Sequence, residues 1–210
     1  MTFSSRPVLS GLLLAAAGAI AFSGKAIIVK LSYRYGVDAV TVVMLRMLIA
    51  LPFFMGLGLW AERQAHAKAN PLTRRDVLRI MALGFVGYYL SSFLDFLGLQ
   101  YITASLERLI LYLNPTMVVV LGWLFFKKPI QPLRMWAMAL SYSGVLLVFS
   151  HELTVAGTDV VLGGSLVLAS ALTYAMYLIY SGQLVQRIGS MRLVGWATSV
   201  ACVCCIAQFV

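Results

Sequence analysis

The sequence predicts an all-α fold, a polytopic bundle of transmembrane helices. Composition is the first reason. Of the 210 residues, 61% are hydrophobic and 11% charged, against about 45–50% and about 25% in a soluble domain. Mean hydropathy is the second, at +0.92. The third is spacing: the apolar residues fall into runs of near-spanning length with short polar gaps between them. Too few charges remain to clothe a water-facing surface, and lipid is the solvent that fits.

A spanning helix needs about 20 mostly apolar residues. Seven runs meet or approach that length: residues 8–30, 38–60, 77–98, 101–125, 132–150, 161–181 and 193–210. The first resembles a signal peptide, with Arg6, an apolar stretch from Gly11 and the small residues Ala19-Ile20-Ala21. The apolar run continues through Ala26-Ile27-Ile28-Val29, past that cleavage position, which argues for an uncleaved first helix. Its small residues Gly11, Ala15, Gly18 and Ala19 suit close helix approach.

Orientation follows from Lys and Arg. Arg6 precedes the first run. Arg63, Lys68, Arg74 and Arg75 fill the second loop, Lys127 and Lys128 the fourth, and Arg187 and Arg192 flank the sixth. The first loop holds Arg34, the third has no basic residue, and the fifth, 151–159, is mildly acidic. The N-terminus and even loops are therefore expected on the cytoplasmic side. The same rule accounts for most of the net charge of +9, so nucleic acid is not an expected partner.

A weak internal echo is present. Shifted by 153 positions, the first run overlays the sixth, placing Gly11 on Gly164, Ala16 on Ala169, Leu31 on Leu184, Arg34 on Arg187 and Gly36 on Gly189. With five helices between the two starts, the sixth helix runs opposite to the first, an inverted-repeat arrangement common in transporters. The echo carries the counterpart of the second run from Met191 slightly past Val210. We therefore expect one full repeat at 1–150 and an incomplete second repeat at 160–210. A stop codon directly after Val210, with no continuing hydrophobic frame, would sink the expectation of a cut-short repeat.

Ionisable side chains inside spanning helices are costly and are functional candidates by default. Five lie away from the helix edges: Lys25, Arg46, Asp95, Glu107 and Arg108. At 1.5 Å per residue, all fall in the half of the membrane opposite the basic loops. Their formal sum is three positive and two negative, or +1. The tight hairpin through Gly98-Leu99-Gln100-Tyr101 brings Asp95 level with Glu107–Arg108, and Asp95–Arg108 is the expected ion pair, either a staple for the hairpin or a cavity lining or gate. Tyr88, Ser92 and Asp95 are expected on one helix face by i, i+4, i+7 spacing. Snorkelling is the comfortable alternative for Lys25; for the deeper Arg46, binding or a buried pair is expected.

Pro115, in Asn114-Pro115-Thr116, removes a backbone donor and frees the Leu111 carbonyl, predicting a kink in the fourth helix. Tyr174, Tyr177 and Tyr180 are expected as packing or interface residues, with lining of the pathway the lesser alternative. Cys202, Cys204 and Cys205 sit in one apolar run as small hydrophobes, and His66 and His151 are expected in loops.

Several of these stretches resemble a known family. Gly87-Tyr88-Tyr89-Leu90-Ser91-Ser92-Phe93-Leu94-Asp95-Phe96-Leu97-Gly98-Leu99-Gln100-Tyr101-Ile102-Thr103-Ala104-Ser105-Leu106-Glu107-Arg108-Leu109-Ile110, on through Asn114-Pro115-Thr116, resembles the EamA-type branch of the drug/metabolite transporter superfamily. Phe22-Ser23-Gly24-Lys25 with Lys30, Leu45-Arg46 with Ala50, and Thr173-Tyr174-Ala175 with Tyr177 resemble that family's first, second and sixth helices. One departure is Phe126-Lys127-Lys128-Pro129, where the family often has an acidic residue.

The resemblance implies ten helices in two inverted five-helix repeats, a central cavity, and secondary transport of a metabolite or drug-like molecule across the inner membrane, often outward, by alternating access. It implies a small-molecule substrate and the lipid bilayer as partners, with protons a candidate coupling ion through Asp95 or Glu107 and a homodimer a candidate assembly. No cofactor or metal is expected. The rivals are a membrane enzyme, against which the lack of intramembrane His counts, and a non-transporting fragment with a structural or partner-binding role.

Overall fold

The computed structural model describes residues 5–64, 70–127, 132–156 and 159–209. Among them the fold is all-α: α1 (Ser5–Arg34), α2 (Ala39–Glu62), α3 (Arg74–Gly98), α4 (Ala104–Phe126), α5 (Pro132–Ala156), α6 (Asp159–Ile188) and α7 (Ser190–Phe209). Six of these are long and apolar enough to cross a membrane: α1, from Gly11, α2, α3, α4, α6 and α7. The fifth expected run is helical as α5. The helices outrun the apolar stretches because a helix continues into the polar boundary where hydropathy stops. Thus α5 reaches Ala156, placing His151 in a helix rather than in the expected loop, and α6 reaches Ile188. His66 lies outside the described residues.

Two helices are interrupted. α3 is α-helical over Arg74–Gly84 and Ser91–Gly98, with a π-helical segment, Phe85–Leu90, between them. Gly87 in that segment lies so close to the Tyr177 ring on α6 that a Cβ would collide with it. α4 breaks at Tyr112-Leu113 into Ala104–Leu111 and Asn114–Phe126. Pro115 cannot donate to the Leu111 carbonyl, and it stands in the first turn of the second piece, where a missing N–H is harmless. The expected kink is thus a full break.

Packing pairs α7 antiparallel with α2. A Cβ on Gly195 would lie 2.6 Å from the Gly58 backbone nitrogen, so only glycine lets these backbones approach. α6 lies antiparallel to α3, with Gly163 against Gly98 and Ser170 against Ser91, and runs parallel to α4, where Ala171 and Ala175 meet Leu113 and Met117. One core, around Val43, Met47, Phe96, Leu99, Cys202 and Cys205, joins α1, α2, α3 and α7. A second, around Ile80, Leu83, Tyr177, Leu184 and Leu193, joins α3, α6 and α7 near the basic loops.

α1 is attached differently. Its Ile20, Ile27 and Ile28 are exposed, only its small Ala26 and Val29 enter the first core among the described residues, and polar groups add to that hold. Lys30 Nζ donates to the Leu99 carbonyl at 2.8 Å and Tyr33 Oη to the Phe96 carbonyl at 2.8 Å. Both acceptors belong to the C-terminal turn of α3, whose carbonyls have no partner within the helix.

Candidate functional site

Four of the five buried charges meet between α1, α3 and α4. Lys25 Nζ donates to Asp95 Oδ2 and lies 3.1 Å from Glu107 Oε1. Arg108 Nε lies 3.3 Å from Glu107 Oε2. The Glu107 side chain is fully buried, and that of Asp95 is 6% exposed. One ammonium thus bridges two carboxylates from different helices. The expected Asp95–Arg108 pair is replaced by Lys25–Asp95, because α1 passes close enough to reach the hairpin and Arg108 turns to its own neighbour. Lys25 therefore does not snorkel away. Asp95 Oδ1 is buried and accepts no hydrogen bond among the described residues.

The fifth charge, Arg46 on α2, reaches the same region from the other side. Its Nη2 donates to Ser92 Oγ at 3.0 Å, and its guanidinium lies over the Phe96 ring at 4.8 Å from the centroid. Lys25 lies over the same ring at 5.3 Å. Such cation–aromatic contacts contribute most where water is excluded.

Tyr88 goes elsewhere. Its hydroxyl is 3.1 Å from that of Tyr177, and its ring meets Tyr177 and Tyr174 edge-on. The expected Tyr88–Ser92–Asp95 face is therefore split among three neighbours: α6 for Tyr88, α2 for Ser92 and α1 for Asp95. The π turn sets Tyr88 apart from Ser92 and Asp95, since a wider turn rotates the residues before it relative to those after it. Ser92 and Asp95 share the α-helical segment that follows and differ only in which long side chain reaches them, Arg46 from α2 or Lys25 from α1. Tyr174 and Tyr177 are packing residues as expected, while Tyr177 and Tyr180 also line a cavity of about 440 Å³ with Leu83, Val86, Phe126 and Gln183. In axial order along α3 come the cavity, then the tyrosines, then Ser92 and Asp95. Pro115 sits beyond the charged cluster along α4, at the break, where the Asn114 Oδ1 is buried with no hydrogen-bond partner among the described residues.

Sequence reasoning missed a second set of charges near the basic loops. Arg192 makes a two-pronged contact with Glu62, Nε to Oε1 at 2.7 Å and Nη2 to Oε2 at 2.5 Å, and also donates to the Asn70 carbonyl at 2.7 Å. Trp196 Nε1 donates to the same Glu62 at 3.0 Å. Arg187 reaches Asp76 at 2.8 Å. Asp76 also completes a capping box with Thr73 at the start of α3, a Thr-x-x-Asp signal visible in the sequence. Arg187 and Arg192 looked only like topology markers, because their partners lie more than a hundred residues away.

Fold and charges together define a class: a multi-pass α-helical membrane protein with ionisable groups buried between its helices, away from lipid. The model of the EamA-like transporter family matches residues 9–150. The chain belongs to that family, within the drug/metabolite transporter superfamily, and the family is non-enzymatic. It is similar to the uncharacterized transporter YcbK of Bacillus subtilis, 27% identical over 204 residues that cover 93% of this chain and 62% of the relative. It is also similar to an uncharacterized transporter of Archaeoglobus fulgidus, 23% identical over 186 residues, 88% of this chain and 62% of that protein. The chain thus spans about 62% of the length of these curated relatives. No solved structure matches it.

Proposed function

We propose that this chain carries out secondary transport, as an exporter of a small metabolite or drug-like molecule across the inner membrane by alternating access. Its N-terminus and basic loops face the cytoplasm, as the positive-inside rule requires. The unit 1–150 is one five-helix repeat, and 160–210 begins a second, inverted one. The echo at 153 positions supports this reading, as does the direction of α6. It is antiparallel to α3, whose C-terminal end lies beside that of α1.

The observation that carries the reading, beside family membership, is the cluster of buried charges around Phe96. Charges this deep in a bundle mark pathways and coupling sites more often than packing. The cluster lies between α1, α3 and α4, next to Phe96, which shares one core with α2 and α7, and rocking of the second repeat against the first would bear on such a site through that core. Lys25, Asp95, Glu107 and Arg108 serve as the gate or proton-coupling group, Arg46 as a binding group, and Tyr88 with Tyr177 as the barrier between the cavity and the charges. Pro115 frees the α4 backbone to follow the movement.

The test compares metabolites released by a deletion strain with those released by a strain expressing the complete reading frame. A specific compound should accumulate outside only in the expressing strain. Identical profiles, with the protein present in the membrane, would remove the exporter reading.

A further inference from the structure

We infer that the transported molecule is a small organic monoanion, a carboxylate recognised by Arg46. The inference rests on the transporter reading and deepens it by naming the substrate class. It begins with a charge count. Lys25 and Arg108 neutralise Asp95 and Glu107 through the contacts described. Arg46 is left over. Among the described residues no carboxylate forms an ion pair with it, and its hydrogen bond goes to the neutral Ser92 hydroxyl.

A guanidinium has five N–H donors in a planar fork. One hydroxyl and one aromatic face leave most of that capacity unused, in a place where an uncompensated cation is costly. Arg46 as a residue is of intermediate exposure. Its neighbour on α2, Met47, packs on Cys202 of α7, which puts Arg46 at the α2–α3–α7 seam. A planar carboxylate fits the fork through two parallel bonds. A single negative charge cancels the surplus, one, while a phosphate dianion would overshoot it.

A second, independent feature agrees. An open cavity of about 430 Å³ lies at the end opposite the basic loops, lined by Lys30, Tyr33, Arg34, Asp38 and Gln100. Its two cations against one carboxylate again leave one positive charge. Tyr33 forms part of its wall and donates to the Phe96 carbonyl, and the Phe96 ring lies beneath Arg46. The vestibule and Arg46 are thus joined through two residues, and a positive mouth draws anions toward a positive site.

The experiment uses protein purified from its complete reading frame, in nanodiscs of zwitterionic lipid, with benzoate and benzamide as isosteric probes. Benzoate should raise the melting temperature in a concentration-dependent way and benzamide should not. Arg46→Gln should weaken benzoate binding about 10- to 100-fold, the range for losing a charged hydrogen-bonded contact, while Arg46→Lys should weaken it less. Equal stabilisation by the two probes in wild-type protein would overturn the proposal, whether or not the variants fold. So would stabilisation by inorganic phosphate or added phosphatidylglycerol but not by benzoate, which would assign the site to phosphate or lipid headgroups. Proteoliposome uptake separates this inference from the reading beneath it. Saturable flux of neutral or cationic compounds, unaffected by Arg46→Gln, would leave transport standing and refute the anion. Absence of saturable flux for every class would refute transport itself.

Discussion

The two sets of buried or half-buried charges in this chain are built on opposite plans. The Lys25–Asp95–Glu107–Arg108 cluster lies within the span, ties together α1, α3 and α4, and keeps a buried acceptor, Asp95 Oδ1, without a hydrogen bond among the described residues. The Glu62–Arg192 and Asp76–Arg187 pairs lie at helix ends, join α2 and α3 to α7 and α6, and have their valences filled by Trp196, the Asn70 carbonyl and the Thr73 cap. A satisfied pair at a helix end is a staple. An incompletely satisfied cluster inside a span is costly to keep, and the cost points to a use.

That contrast breaks most readily at Lys25. Lys25→Ala leaves two buried carboxylates facing each other and should destabilise the protein by about 3–5 kcal/mol, the range for removing one partner of a buried pair. Thermal melting in nanodiscs measures it, and Asp95→Asn with Glu107→Gln should recover much of the loss. Since Lys25 holds Asp95, a Lys25/Asp95 charge exchange should rescue better than an Asp95/Arg108 exchange. Wild-type melting of Lys25→Ala would remove the distinction between the two regions.

Arg192→Ala comes next. Arg192 is almost fully buried, but the Glu62 side chain is 31% exposed and can be rehydrated, so the expected loss is about 2 kcal/mol. If the pair is a staple, the surviving folded protein should transport with unchanged KM. A raised KM at unchanged melting temperature would move this pair from the structural to the functional side.

Arg187→Ala should cost no more than about 1 kcal/mol, because Arg187 is 45% exposed and Asp76 keeps its Thr73 cap. The smallest effect belongs to Asp38, the N-cap of α2, which lies in water at the end of the bundle. Hydrogen bonding from the Thr41 hydroxyl, helped by the Val40 and Thr41 amides, holds its carboxyl below the usual range. A group with a lowered folded pKa stabilises above its unfolded pKa and loses that contribution as pH falls through the folded value. Asp38→Asn should therefore leave neutral-pH melting nearly unchanged and remove a small acid-side decline. An unchanged decline would assign it to other carboxylates.

Much of the fold is legible without coordinates because the membrane imposes it. Apolar runs of spanning length have to be helices when lipid offers the backbone no hydrogen bonds, and the five mid-span charges stand out against that background. Pro115 announces a break through its missing donor. Less was legible at the site. The i, i+4, i+7 pattern of Tyr88, Ser92 and Asp95 assumes an α-helix throughout, and the π segment Phe85–Leu90 that divides it arises where Gly87 meets Tyr177 of α6. That contact spans 90 positions and leaves no local trace.

The sequence by itself determined that this protein is a helical membrane bundle and which residues carry charge into the bilayer, because both follow from the solvation of each side chain taken singly. The tertiary structure alone decided which charges neutralise one another, that Lys25 takes Asp95 and Glu107 while Arg46 is left to Ser92 and Phe96, and that Arg192 and Arg187 join the two halves of the chain. Pairing depends on which helices lie side by side, and that is settled by close packing such as Gly58 on Gly195, between residues far apart in the chain.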